Sequence, residues 1–124
     1  MSKILVVDDN VNVCFLLKNF LEEMGHDVIV SHYGMDALEK VKNLKPNIML
    51  LDLIMQGGIG GMEILRSVRK FDNKIGIIII SALIDDVYCK KTLENGANDY
   101  ITKPFDYDRL YECILNNITM RSRE

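Results

Sequence analysis

Ile4-Leu5-Val6-Val7-Asp8-Asp9-Asn10 and Ile48-Met49-Leu50-Leu51-Asp52 share one plan: four apolar residues that stop at acid. Runs this short, without polar alternation, read as strands buried on both faces, as in a parallel sheet. A third short apolar stretch leads into Lys103-Pro104. Ligands of open α/β sheets collect at the carboxyl ends of the strands. Asp8, Asp9, Asp52 and Lys103, distant in sequence, are therefore expected in one pocket. Three carboxylates held together repel one another unless a cation neutralises them, so function is sought there first.

Outward from these stretches, strand and helix patterns alternate five times. Residues 3–8 form the first strand, and residues 10–24 a helix with Leu17, Phe20, Leu21 and Met24 on one face, closed by Gly25. A shorter, more polar strand at 27–32 precedes a helix at 35–44 that turns Leu38, Val41 and Leu44 inward and stops at Lys45-Pro46. The third strand is 47–52 and the third helix 61–71, with Leu65 and Val68 inward. Residues 75–81 are the most apolar strand and are expected to be central. A less clearly amphipathic helix follows at 84–95, closed by Gly96. Residues 98–102 are the last strand, and 106–118 the last helix, with Leu110, Cys113, Ile114 and Ile118 inward. Such alternation implies right-handed crossovers and a parallel sheet covered by helices on both faces, an α/β fold. Five strands suit the flavodoxin-like order 2-1-3-4-5, in which the first and third strands meet at the switch point. Asp8, Asp9 and Asp52 end those two strands.

Composition narrows the function. The 124 residues fit one domain spanning the whole chain, and 48% hydrophobic with 27% charged residues is a globular balance. A net charge of −3 gives no support for a nucleic-acid surface. No apolar run reaches membrane-spanning length, and the N-terminus lacks a signal-peptide pattern. Three cysteines without a C-x-x-C pair read as reduced thiols, and a cytoplasmic location is expected.

The residue types fit phosphoryl and metal chemistry. Mg²⁺ prefers hard oxygen ligands such as carboxylates. A carboxylate can accept a phosphoryl group, and the transfer needs cations around the moving oxygens more than it needs a base. Lys103 supplies one cation, and Ser81, ending the fourth strand, a hydroxyl donor. At these residues the chain resembles the response-regulator receiver domain, the CheY-like family of two-component phosphorelay systems. The resemblance runs through I-L-V-V-D-D-N at 4–10, I-M-L-L-D-L at 48–53, S-A at 81–82 and G-A-N-D-Y-I-T-K-P-F at 96–105. It implies that Asp52 is the phosphoacceptor. It also implies that Asp8, Asp9, Asp52 and the backbone carbonyl of Ile54 hold Mg²⁺. Ser81 and Lys103 would bind phosphoryl oxygens, the Lys103–Pro104 bond would be cis, and Tyr100 would be the switch aromatic that responds to Ser81. The implied partner is a sensor histidine kinase or a histidine phosphotransfer protein, with no nucleic acid and no membrane bound directly.

Two departures from the family pattern stand out. The position four residues after Asp52, commonly proline, is Gln56, and the loop that follows has four glycines between Gly57 and Gly61. Such a loop is costly to order, which suggests mobility that ends on partner binding. Ile54 and Leu83, two residues after Asp52 and Ser81, are apolar, so slow self-dephosphorylation is expected. His26 and His32 are expected at the surface, away from the pocket, and Met120-Arg121-Ser122-Arg123 as the start of a linker. Other readings stay open. Asp9-Asn10 alone could be a helix N-cap. An aspartyl-phosphate phosphohydrolase usually carries a second carboxylate two residues after its nucleophile, where Ile54 stands here. An FMN carrier would need a phosphate-cradling turn where Asp8-Asp9-Asn10 stands. The chain fits a stand-alone regulator or the receiver portion of a larger one with an effector domain.

Overall fold

A computed structural model of the chain describes residues 2–55, 58–83 and 85–122, with side chains through Ile118. Among these residues the elements alternate as β1 Lys3–Val7, α1 Val11–Glu23, β2 Asp27–Ser31, α2 Gly34–Leu44 and β3 Ile48–Asp52. They continue as α3 Gly61–Phe71, β4 Gly76–Ser81, α4 Asp86–Glu94, β5 Asp99–Thr102 and α5 Tyr107–Ser122. The strands form one parallel sheet in the order β2-β1-β3-β4-β5, the flavodoxin-like arrangement.

Strand periodicity divides the core in two. Ile4 and Val6 of β1, Ile48 and Leu50 of β3, and Ile78 and Ile80 of β4 face α1 and α5, where Leu17, Leu21, Leu110 and Ile114 meet them. The alternate residues Leu5, Val7, Met49, Leu51, Ile77 and Ile79 face α2 and α3, against Ala37, Val41, Ile64, Leu65 and Val68. Both faces are buried, which explains why these strands read as unbroken apolar runs. The apolar β4 is buried throughout and lies between β3 and β5. The more polar β2 is an edge strand, equal in length to β1 and β3; the four-residue β5 is the shortest.

Several boundaries differ from the sequence expectation. β1 ends at Val7, so Asp8 opens the turn, and α2 begins at Gly34. Met24 is 48% exposed and Leu44 39%, not inward. Each sits at the end of its helix: Met24 is the C-cap of α1, and Leu44 precedes Lys45, the left-handed C-cap of α2 at φ 47°. A residue there is leaving the helical phase that would carry it to the core. Helix α4 starts at Asp86, capped by the Asp85 carboxylate on the Val87 N–H at 2.8 Å; the expected start at Ile84 lies outside the described residues. Helix α5 runs on to Ser122, so Met120–Ser122 continue the helix in place of a linker. Arg123 lies outside the described residues.

Candidate functional site

Parallel register brings the acids together. Val7 pairs with Leu51, so the next residues, Asp8 and Asp52, leave neighbouring strands side by side. Asp52 and Asp8 continue the parity of Leu50 and Val6, on the α1/α5 side of the sheet. One oxygen from each of Asp8, Asp9 and Asp52 lies within 4.8 Å of the others. The N-cap question has a clear answer here. The Asn10 side chain caps α1, accepting from Asn12 N–H at 3.0 Å and Val13 N–H at 3.1 Å. The acids before it are not needed for that purpose.

Lys103 reaches into this cluster from the end of β5. Its Nζ donates to Asp8 Oδ2 at 2.8 Å and Asp52 Oδ2 at 3.3 Å, while its backbone N–H is tied to the Ser81 carbonyl at 2.7 Å. The Lys103–Pro104 peptide is cis, as expected. The remaining oxygens of the two buried acids take backbone donors: Asn10 N–H on Asp8 Oδ1 at 2.9 Å and Ile54 N–H on Asp52 Oδ1 at 3.2 Å. Burial, and then the Asp8 charge, raise the Asp52 carboxyl above its ordinary range, against the Ile54 N–H and Lys103. Burial alone would lower Lys103, but its bond to Asp8 and the Asp52 charge leave it raised. Lys103 is thus one positive charge shared by the two buried carboxylates of Asp8 and Asp52.

Ser81 and Tyr100 form a second group beside the first. Asp52 pairs with Ile80, so Ser81 is one residue further along the adjacent strand, fully buried, with its Oγ accepting from Leu83 N–H at 3.1 Å. The Tyr100 hydroxyl donates to the Leu83 carbonyl at 2.7 Å. Burial raises the Tyr100 phenol above its ordinary value, with the nearby Ser81 side chain acting against it. Ser81, Tyr100 and the segment entering α4 are thus joined by polar contacts.

Ile54, 51% exposed, and Leu83 line an apolar hollow of about 320 Å³ with Leu53, Met55, Met62 and Tyr88. Of the glycine loop, Gln56 and Gly57 lie outside the described residues, where part of the expected mobility falls. Gly61 has a different reason to be glycine: a Cβ there would overlap the Asp52 carbonyl and Leu53 Cα. Its N–H donates to the Leu53 carbonyl at 3.1 Å, seating α3 against the end of β3.

His32 is not remote, contrary to the sequence expectation. Its Nδ1 lies 3.1 Å from the Asp8 carbonyl oxygen, and Cys14 Sγ donates to the same oxygen at 3.3 Å. The signal lay in the register: Val7 pairs with Ser31, so His32 follows beside Asp8. His26 is half-buried, with Nε2 at 2.9 Å from the Tyr111 hydroxyl on α5.

Comparison with known proteins decides what this constellation belongs to. The family model for the response regulator receiver domain matches residues 4–115. The chain belongs to the response regulator receiver family. This receiver domain is 39% identical over 104 residues to the DNA-binding response regulator MtrA of Mycobacterium tuberculosis, covering 84% of this chain and 45% of that protein. To the transcriptional regulatory protein ZraR of Klebsiella oxytoca it is 35% identical over 107 residues, covering 86% of this chain and 24% of the relative. The receiver domain therefore spans less than half the length of these relatives. Among solved structures, a CheY-like response regulator receiver domain protein from Methanospirillum hungatei superposes with a TM-score of 0.94 at 25% identity, covering 99% of this chain and 98% of that one. Receiver domains of two-component regulators are signalling switches that partner histidine kinases, and the family typically binds Mg²⁺ through acidic residues. No helix among the described residues is long and apolar enough to cross a membrane.

Proposed function

We propose that this receiver domain is an Mg²⁺-dependent phosphoacceptor switch that takes a phosphoryl group on Asp52. The observation that carries this reading is the Lys103 ammonium fixed between Asp8 and Asp52, one positive charge against two buried carboxylates. Such a site has room, electrostatically, for one more cation. Three hard carboxylate donors suit Mg²⁺, with the Ile54 carbonyl as a further ligand. Bound there, Mg²⁺ would supply charge neutralisation for the phosphoryl oxygens.

The chain's own residues do the rest. A carboxylate oxygen of Asp52 attacks phosphorus; the P–N bond to a donor histidine breaks, an acyl phosphate forms, and the histidine nitrogen leaves with the electron pair and takes up a proton. Lys103 exchanges its contact with Asp52 for one with a phosphoryl oxygen. Ser81 donates its hydroxyl to another, drawing on the group of contacts that reaches Tyr100 and Leu83. Breaking those contacts favours a second arrangement of Tyr100, the entry to α4 and the surface formed by α4, β5 and α5. The mechanism is a population shift between two states of the same fold.

The donor is a sensor histidine kinase or a histidine phosphotransfer protein, and the domain acts in the cytoplasm as one unit. Its relatives are DNA-binding and transcriptional regulators, which supports an input role governing an output carried elsewhere. Direct DNA contact by this domain is not part of the reading, given its net charge of −3. Incubation with Mg²⁺ and a small phosphoramidate, followed by hydroxylamine, tests the chemistry. An adduct of one phosphoryl that hydroxylamine removes supports an acyl phosphate; a hydroxylamine-stable adduct would contradict it.

A further inference from the structure

The segment after β2 carries none of the three acids, yet it holds the strand end that carries two of them. Asp8 is gripped at both poles of its backbone: its N–H donates to the Ser31 carbonyl at 3.1 Å, and His32 Nδ1 meets its carbonyl oxygen at 3.1 Å. A carbonyl oxygen only accepts, so a hydrogen bond here requires the proton on Nδ1 of His32. That carbonyl belongs to the peptide linking Asp8 to Asp9. Orienting it fixes the direction in which Asp9 leaves the strand.

The segment bearing His32 is itself restrained. Ser31 Oγ donates to Asp36 Oδ2 at 2.7 Å, and Lys40 pairs with Asp36 at 2.8 Å while donating to the Val30 carbonyl at 2.7 Å. Two residues beyond His32, Gly34 lies against Ile59, so closely that a Cβ would overlap the Ile59 side chain. Ile59 belongs to the loop that follows Asp52. One segment therefore touches both acid-bearing loops.

We infer that His32 is a positioning residue for the acid cluster: its Nδ1–H bond to the Asp8 carbonyl presets the Asp8–Asp9 turn. The Gly34–Ile59 contact keeps the Asp52 side in step with it. Groups that orient metal ligands without touching the metal commonly matter tenfold or more for affinity. The inference rests on the reading that Asp8, Asp9 and Asp52 hold Mg²⁺.

Two measurements on the intact chain test it. Long-range ¹H–¹⁵N spectra of the metal-free protein report the His32 tautomer, expected with the proton on Nδ1; a neutral ring protonated only on Nε2 would overturn the proposal. Mg²⁺ titration followed by backbone amide shifts compares wild type, H32A, H32N and D9N. H32A is expected to weaken Mg²⁺ binding about tenfold. H32N, whose amide nitrogen can stand where Nδ1 stood, should restore most of that affinity at an unchanged fold. Wild-type and D9N behaviour isolates the two claims. Mg²⁺ binding that is lost in D9N but unchanged in H32A overturns the His32 role alone. No Mg²⁺ binding by wild type overturns the metal reading and this proposal with it.

Discussion

Helices α3 and α4 are neighbours in sequence and similar in length, yet they are anchored very differently. α3 buries Gly61, Ile64, Leu65 and Val68, and its first residue abuts the carbonyl of Asp52. α4 buries only Thr92, leaving Val87 68%, Tyr88 46% and Leu93 44% exposed. Burial of an aliphatic side chain stabilises by about 1.5–3 kcal/mol, so α3 is bound to the sheet by several such terms and α4 by almost none. The lesson is where motion is cheap. α3 fixes the floor beside Asp52, whereas α4 can shift without emptying the core, as elements of low local stability do in switches.

The largest test of this contrast is truncation on each side. L65A should lose about 2–5 kcal/mol in urea unfolding, since it removes a fully buried leucine. V87A should stay within about 0.5 kcal/mol of wild type. Equal losses would break the comparison.

A second test asks whether the tension lies in the acids. The Asp52 carboxyl is raised in the folded state by burial and Asp8, so folding favours its protonated form. Its contribution is full below the ordinary value of 3.8 and is lost as pH rises through the raised value. Metal-free D52N should thus melt above wild type at neutral pH, with the gap closing in acid. Mg²⁺ should stabilise wild type, by about 2.7 kcal/mol at a hundred times its Kd, and D52N far less. A D52N that melts lower than metal-free wild type at neutral pH would contradict the raised carboxyl.

Smaller still, Y100F removes the bond to Leu83 and should cost about 1 kcal/mol. Hydrogen exchange should quicken at 86–94 and stay unchanged in α3; loosening of both helices alike would blur the distinction. The least effect on stability is expected from I54N/L83N, which changes the apolar hollow beside Asp52. Phosphoryl lifetime should shorten several-fold, and an unchanged lifetime would remove these side chains from the control of hydrolysis.

Much of this is legible in the sequence, for identifiable reasons. Apolar runs ending in Asp8 and Asp52 define buried parallel strands, and the order of such strands puts those acids together. The weak amphipathicity of 84–95 likewise foreshadowed an α4 with one buried residue. What could not be read were relations set by register and by helix ends. His32 is an ordinary polar residue in sequence, and only the pairing of Val7 with Ser31 brings it to the Asp8 carbonyl. Met24 and Leu44 follow the apolar spacing of their helices, but each helix ends before the spacing can carry them inward. Gly61 was expected as part of a loop that is costly to order, and it is instead a close-packing position under Asp52.

The central claim is that Asp52 accepts the phosphoryl group within this acid cluster. Intact mass after incubation with Mg²⁺ and a small phosphodonor tests it most directly, with D52N treated in parallel. One added phosphoryl is expected on wild type, dependent on Mg²⁺, and none on D52N. Labelling of D52N to the same extent as wild type would contradict it.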